Sequence, residues 1–315
     1  MKIVSYFKLP VAIENELKTL GEYVNLEGLS YEIKDICEAT IIIGNLPPHL
    51  LKHCKKLKFL QLIFAGSDGY KDYVCDDYEI CNASGTFGAS IAEHLIMYTL
   101  MLYRSIPDYM NQQKQHLYHR IDNNKMIYGS TFLICVCFDI GTQFAKRIKA
   151  LGGYTIGIKR RKCVSLPYFD EIYTEDRIEE HLHRADVIAL CLPKNDTTDH
   201  FLSDKRMQLM KKDAILLNVG RGNAVDTQAL ITLLKNKEIG GAALDVFEEE
   251  PLPISSELWD IDNLIITPHV SGTFANPYTF ELFYEILKDN INRFKNNKPL
   301  KNVIDKESGY RKEVS

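Results

Sequence analysis

The chain reads as an α/β protein built on mainly parallel sheet. Short apolar runs alternate along its whole length with segments of helical periodicity. Each run is only strand-long and each link is compact, as in repeated strand–helix–strand units. At 315 residues there is room for two domains or one large one. With 45% hydrophobic and 25% charged residues the composition is ordinary for a globular protein. A formal net charge of -4 argues against a nucleic-acid partner, which needs a basic surface. No apolar run approaches the ~20 residues that span a bilayer, so no membrane partner is expected. The start, Met1-Lys2-Ile3-Val4-Ser5-Tyr6-Phe7, reads as a first strand and lacks the regions of a signal peptide, so a cytoplasmic protein is expected.

Taken in order, strands are expected at Lys2–Phe7, Thr40–Gly44, Lys58–Leu62 and Glu79–Asn82, with helices such as Val11–Leu20 and Pro48–Cys54 between them. A long helix is expected over Ala89–Met110. Its residues Ile91, Leu95, Ile96, Tyr98, Leu100 and Leu102 cover much of the circumference, as in a helix buried between domains or against a second subunit. The polar stretch Gln112–Lys125 follows as a surface connection. A second α/β unit begins at Gly129, with strand Thr131–Cys137, helix Thr142–Ala150, Gly152 as its stop, and strand Tyr154–Ile158. Further strands fit Val187–Cys191, Ala214–Asn218, Gly241–Val246 and Leu264–Ile266. Helices fit Arg177–His183, Lys205–Met210, Thr227–Asn236 and Pro277–Asn296.

The 8 cysteines, at 37, 54, 75, 81, 135, 137, 163 and 191, form no C-x-x-C pair and are expected to be reduced, buried thiols. Cys135 and Cys137 share one face of a strand, a spacing that suits packing better than metal binding, so no metal site is expected.

Three stretches carry residues suited to acid/base work on a keto acid: Asn218-Val219-Gly220-Arg221-Gly222, Asp245-Val246-Phe247-Glu248-Glu249-Glu250-Pro251 and Thr267-Pro268-His269. Reducing a 2-keto acid requires a cation for the carboxylate, a proton donor for the carbonyl oxygen, and a hydride. The planar fork of Arg221 can hold a carboxylate through two hydrogen bonds. An imidazole trades protons near neutrality, which suits His269 to the second task. A carboxylate beside it, Glu250, stabilises the imidazolium and fixes which ring nitrogen faces the substrate. The glycines flanking Arg221 suit a strand-end loop where backbone approaches a ligand.

With Ala65-Gly66-Ser67-Asp68, Asn82-Ala83-Ser84-Gly85, Ala92-Glu93-His94, Leu192-Pro193, Val225-Asp226 and Gly241-Ala242-Ala243-Leu244-Asp245-Val246-Phe247, these stretches stand in the order of the D-isomer-specific 2-hydroxyacid dehydrogenase family, which the chain resembles over nearly its whole length. The resemblance implies a Rossmann-type parallel sheet domain, 99–274, inserted into a flavodoxin-like substrate domain made of 1–98 and 275–315, with the active site in the cleft. It implies Arg221, Glu250 and His269 as catalytic residues, a small 2-keto or 2-hydroxy acid as substrate, and a substrate-carboxylate loop at Ala65, Gly66 and Ser67. Phe64, where many relatives carry a small or polar residue, makes that pocket more apolar or narrower, or is a core aromatic closing a strand. The resemblance also implies a homodimer built around the long helix, although burial within one chain explains that helix's apolar pattern as well.

The dinucleotide turn departs from the pattern. Of its G-x-G-x-x-G only Gly141 remains; Val136 and Phe138 stand at the first two glycine positions of Cys135-Val136-Cys137-Phe138-Asp139-Ile140-Gly141. A β-branched residue resists the tight bend, and a ring takes the space of diphosphate oxygens, so a loss of several kcal/mol of cofactor affinity is expected at about 1.5–3 kcal/mol per charged contact. The helix N-terminus at Gly141–Thr142 could still attract an anion. The second strand ends Ile158-Lys159-Arg160-Arg161-Lys162, with Lys159 where an acid would bind the ribose diol. The cations favour NADP(H) over NAD(H), or are a solvated basic run. The expected cofactor contacts are Asp139, Ile140, Gly141, Lys159, Arg160, Arg161, Leu192, Pro193, Val219 and Asp245. Two readings stay open: an NADP-preferring reductase with a degenerate turn, or a cofactor-poor relative acting as a dimeric binding module.

Overall fold

The computed structural model describes residues 1–30, 32–135, 138–161, 165–195, 197–306 and 311, except for the side chain of Phe138. The expectations for Val136, Cys137, Lys162 and Cys163, and for the ring of Phe138, therefore lie outside the described residues. The chain divides into two compact units, Met1–Thr86 with Phe274–Ser315, and Phe87–Thr273.

The first unit alternates β1 (Lys2–Ser5), α1 (Val11–Leu20), β2 (Glu22–Asn25), α2 (Ile33–Ile36), β3 (Ile41–Ile43), β4 (Phe59–Gln61) and β5 (Glu79–Cys81). The strands form one parallel sheet in the order β2-β1-β3-β4-β5, the flavodoxin-like arrangement. Alternation along the strands sends Val4, Ile42, Leu60 and Ile80 into a cluster with Ile36, Leu51, Leu57 and Tyr70. On the other face of β4, the ring of Phe59 lies 5.4 Å from that of Phe294, in the C-terminal helix Pro277–Lys295. That helix starts with an Asn276 cap on the N–H of Tyr278 and Pro277 at its first position. Its buried Asn290 donates to Gln61 Oε1 at 2.8 Å, fixing the helix over the end of β4.

The second unit begins with α3 (Gly88–Tyr103) and α4 (Ile106–Lys114), then runs β6 (Thr131–Cys135), α5 (Phe138–Ala150), β7 (Tyr154–Lys159), β8 (Glu171–Thr174), α6 (Glu179–Leu182), β9 (Val187–Leu190), α7 (Asp204–Met207), β10 (Ile215–Asn218), α8 (Thr227–Lys235), β11 (Gly241–Leu244) and β12 (Leu264–Ile266). Its seven-stranded parallel sheet has the order β12-β11-β10-β9-β6-β7-β8, a Rossmann order with one further strand. The strand order reverses between β6 and β9, so their carboxyl ends open the crevice where such sheets take ligands. No helix among the described residues is long and apolar enough to cross a membrane.

Several expectations require correction. The single helix Ala89–Met110 is two helices, because Ser105 takes a left-handed φ of 50° and Pro107, lacking an N–H, sits in the first turn of α4. The domain boundary expected at 98/99 falls inside α3, which packs on α5 of the second unit. Helix α5 starts at Phe138, a turn earlier than Thr142, so the positive end of its dipole lies at Phe138–Gly141. The strands β2 and β8 went unexpected: both are sheet edges, half-exposed and polar, without an apolar run. Of the thiols, Cys54, Cys81, Cys135 and Cys191 are buried, but Cys75 is exposed and Cys37 half-buried.

Candidate active site

Arg221 stands three residues beyond Asn218, the last residue of β10, in extended backbone with φ -139° and ψ 143°. The side chain of Asn218 ties this exit at both ends, accepting from the N–H of Gly220 at 3.1 Å and donating to the carbonyl of Arg221 at 3.0 Å. The guanidinium Nη1 donates to the Gly220 carbonyl at 2.8 Å, and the side chain is half-buried. The flanking glycines permit backbone contact. A Cβ on Gly220 would lie 2.3 Å from the Leu192 carbonyl oxygen, and one on Gly222 1.8 Å from the Phe247 carbonyl carbon. Only bare backbone fits, so the loops after β9, β10 and β11 meet at Arg221.

The loop after β11 carries Glu250, and the exit of β12 carries His269. His269 Nδ1 and Glu250 Oε2 are 2.7 Å apart, both side chains half-exposed, and the other Glu250 oxygen accepts from the N–H of Phe247 at 2.9 Å. With Nδ1 turned to the carboxylate, Nε2 is the ring atom left to exchange a proton. His269 holds a left-handed φ of 53°, so its backbone must be anchored. The anchor is Asp245. Its carbonyl accepts from the N–H of His269 at 2.8 Å. Its fully buried carboxylate accepts from the N–H groups of Val270 and Ser271, each at 2.9 Å, and from the hydroxyl of Thr267. Tyr98 OH lies 2.5 Å and His94 Nε2 3.3 Å from that hydroxyl. Burial holds the His94 imidazole below its ordinary range, against the pull of Asp245, which favours the neutral ring.

The expected cofactor contacts fall at strand ends and in the first turn of α5. Leu192 and Val219 are buried and Pro193 half-buried; the Pro193 carbonyl accepts from the Thr198 hydroxyl at 2.6 Å. In the first turn of α5, Gly141 is buried and Ile140 half-buried, while Asp139 Oδ2 accepts from the N–H of Gly88 at 3.0 Å. Lys159 ends β7 half-buried, with Arg160 and Arg161 exposed just beyond it. Across the register from Lys159 is Thr174, next to Glu175. Burial lifts the Glu175 carboxyl above its ordinary range, against the pull of Arg160 and Arg206. This donor set is mostly cationic and fits an anionic phosphate better than a neutral diol. Among the described residues no group of three His, Cys, Asp or Glu could hold a metal.

In the first unit, Ala65, Gly66 and Ser67 follow the carboxyl end of β4. The carbonyls of Phe64 and Ala65 are held by the N–H of Ala83 at 3.0 Å and by Asn82 Nδ2 at 2.8 Å. Ser67 is buried, and Ala65 and Gly66 are half-buried.

The supports of the His269 loop were not read from the sequence. His94 and Tyr98 stand four residues apart on α3, one helical face, which was the available signal. A second imidazole–carboxylate pair, His200 Nε2 to Glu248 Oε1 at 2.8 Å, also escaped notice.

Residues 96–271 match the family model of the D-isomer specific 2-hydroxyacid dehydrogenase, NAD binding domain. An uncharacterized protein in the proB 3′ region of Corynebacterium melassecola is 30% identical, over 90% of this chain and 95% of its own length. The glyoxylate/hydroxypyruvate reductase HPR3 of Arabidopsis thaliana is 29% identical, over 83% of this chain and 81% of its own. The crystal structure of a D-isomer specific 2-hydroxyacid dehydrogenase family protein from Aeromonas salmonicida subsp. salmonicida A449 superposes with a TM-score of 0.83 at 33% identity, covering 97% of this chain and 99% of that one.

Proposed function

The chain belongs to the D-isomer specific 2-hydroxyacid dehydrogenase family, and on that premise we propose that it is an NAD(P)H-dependent reductase of 2-keto acids to 2-hydroxy acids. The observation that carries this reading is the 2.7 Å contact between His269 Nδ1 and Glu250 Oε2. Glu250 orients the ring and holds Nδ1, so that His269 Nε2 gives its proton to the carbonyl oxygen and recovers it in the reverse direction. Arg221 binds the substrate carboxylate through its guanidinium fork. In the first unit, the Ala65–Ser67 loop offers backbone N–H groups to carboxylate oxygens. A reduced nicotinamide, when bound, supplies the hydride to C2. Asp245 acts through the segment it holds, and Leu192, Pro193 and Val219 line strand ends where a dinucleotide would rest.

Lys159, Arg160 and Arg161 support NADP(H) as the preferred cofactor, with NAD(H) used less well. Val136 and Phe138 weaken cofactor binding relative to a glycine-rich turn. The apolar residues Met97, Leu100 and Met110, exposed on α3 and α4, support a homodimer through these helices. The two lost glycines also favour a second reading, a cofactor-poor dimeric binding module.

Steady-state assays with NADPH and a panel of 2-keto acids test the first reading. Turnover is expected, and His269→Ala should lower kcat by at least about a hundredfold. Wild-type rates no higher than those of the variant, with every acceptor, would remove the reductase. A thermal midpoint that NADPH at millimolar concentration leaves unmoved would favour the binding module; glycine at positions 136 and 138 should then restore the shift.

A further inference from the structure

We propose that the chain selects 2-keto acids bearing an aromatic side chain, through a wall of phenyl rings that starts at Phe64. This deepens the reductase reading and rests on it.

Phe64 is the third residue beyond β4 and the one immediately before the Ala65–Ser67 loop. It is 43% exposed, a large apolar side chain facing solvent directly beside the candidate carboxylate-binding backbone. Its position is fixed, because its own carbonyl and that of Ala65 are both held by hydrogen bonds from the segment after β5. Among the described residues, the N–H groups of Ala65 and Gly66 take no intramolecular hydrogen bond. An anion there would find donors, and its substituent would find a ring.

The ring does not stand alone. Its centroid lies 6.2 Å from that of Phe274, tilted by 34°. Phe274 in turn is 4.8 Å from Phe280 and 5.1 Å from Phe7. Beneath them Phe283, fully buried, presents its edge to Phe7 at 84° and to Phe274 at 70°. Such tilted and edge-on contacts hold rings in defined orientations. The wall is therefore preorganised, and a further ring can join it with little loss of side-chain freedom.

Reach sets the length of the substrate. The phenyl ring of a 3-phenyl-2-keto acid begins two bonds from the keto carbon. One residue step, about 3.8 Å between Cα atoms, separates Phe64 from Ala65, whose N–H opens the loop. Glyoxylate, with only hydrogen on its carbonyl, gains nothing from this wall, and a hydroxymethyl group would leave its hydroxyl against hydrocarbon.

The test compares kcat/KM for phenylpyruvate and glyoxylate with saturating NADPH, using the full chain. The wild type should favour phenylpyruvate by at least about tenfold, the scale of one well-packed aromatic contact. Phe64→Ser should lower that ratio about tenfold, and Phe64→Leu, which keeps apolar volume, should lie between. A wild type that prefers glyoxylate, or a ratio unchanged in Phe64→Ser, overturns the proposal. If no acid is turned over, the reductase reading fails, and calorimetry decides the wall separately. Phenyllactate should then bind more tightly than glycolate to the wild type and lose that advantage in Phe64→Ser. Equal affinity, or no binding of either acid, overturns the proposal.

Discussion

Replacing Asp245 with asparagine tests whether the His269 loop is held from beneath. The carboxylate accepts from two backbone N–H groups, those of Val270 and Ser271, each at 2.9 Å. Hydrogen bonds to an ionised buried acceptor contribute about 1.5–3 kcal/mol each. The amide keeps one oxygen, so one N–H retains its acceptor while the other faces the new NH2 group. One charge-assisted bond is lost and one donor is buried against another donor, a further penalty of about 1–3 kcal/mol. The total is about 2.5–6 kcal/mol, concentrated on the two residues that follow His269. The backbone bond from His269 to the Asp245 carbonyl survives the substitution, so the segment should loosen rather than unfold. Amide hydrogen exchange reads this directly. At Val270 and Ser271 a 3 kcal/mol loss accelerates exchange through local opening by about a hundredfold. Loss of kcat of similar size is expected, since a catalytic group displaced by about 1 Å forfeits roughly that factor. Exchange at these amides within threefold of wild type would refute the argument, because the carboxylate would then not be what holds them.

Two further outcomes follow from the geometry. Burial first, and Arg184 Nη1 at 3.1 Å from Nδ1 second, hold the His181 imidazole below its ordinary range. The neutral ring is thus favoured in the fold, and the stability it contributes is complete above pH ~6.5 and lost as pH falls toward the folded value. The melting midpoint should therefore drop more between pH 7 and pH 5 in the wild type than in His181→Phe, which keeps the stacking on Tyr173; equal drops would exclude His181 as the acid-sensitive group. At the end of β7, Arg160→Asp should raise KM for NADPH at least about tenfold while sparing NADH, the loss of one charged contact to phosphate. An unchanged NADPH/NADH preference would reassign the basic run to solvent.

The sheets could be read from the chain because parallel strands buried on both faces are short runs of continuous hydrocarbon. Ile41–Ile43, Val187–Leu190 and Ile215–Asn218 could be little else, and their neighbours along the chain are amphipathic. Where that rule does not apply, the reading failed. The edge strand β2 reads Glu-Tyr-Val-Asn and β8 reads Glu-Ile-Tyr-Thr, sequences that a surface loop could carry equally well. The break between α3 and α4 had a signal in Pro107, but the apolar residues on either side masked it. Ser105 in left-handed backbone had none, since serine does not announce that conformation.

The same distinction runs through the site. Arg221, Glu250 and His269 could be named from sequence because each sits in a short stretch whose flanking residues, glycine or proline, reveal a strand exit. What makes two of them a pair is not local. Glu250 and His269 meet because β11 and β12 are adjacent and in register, Leu244 opposite Ile266, so that the loops leaving both strands emerge side by side. The residue that then fixes His269 is one that looks structural or ligand-binding from sequence alone. Asp245 follows the end of β11 with its carboxylate buried, and its acceptors are consumed by N–H groups more than twenty residues away. Thr267 adds a hydroxyl that links this carboxylate to Tyr98 and His94 on a helix far earlier in the chain. A buried charge is tolerated when nearby donors hydrogen-bond to it. Those donors must come from wherever the fold brings backbone close, which linear spacing does not record. The positioning of His269, the proposed acid/base residue, is thus a property of three elements converging on one carboxylate, and substitutions at Thr267 or Tyr98 should be felt at His269 without touching it.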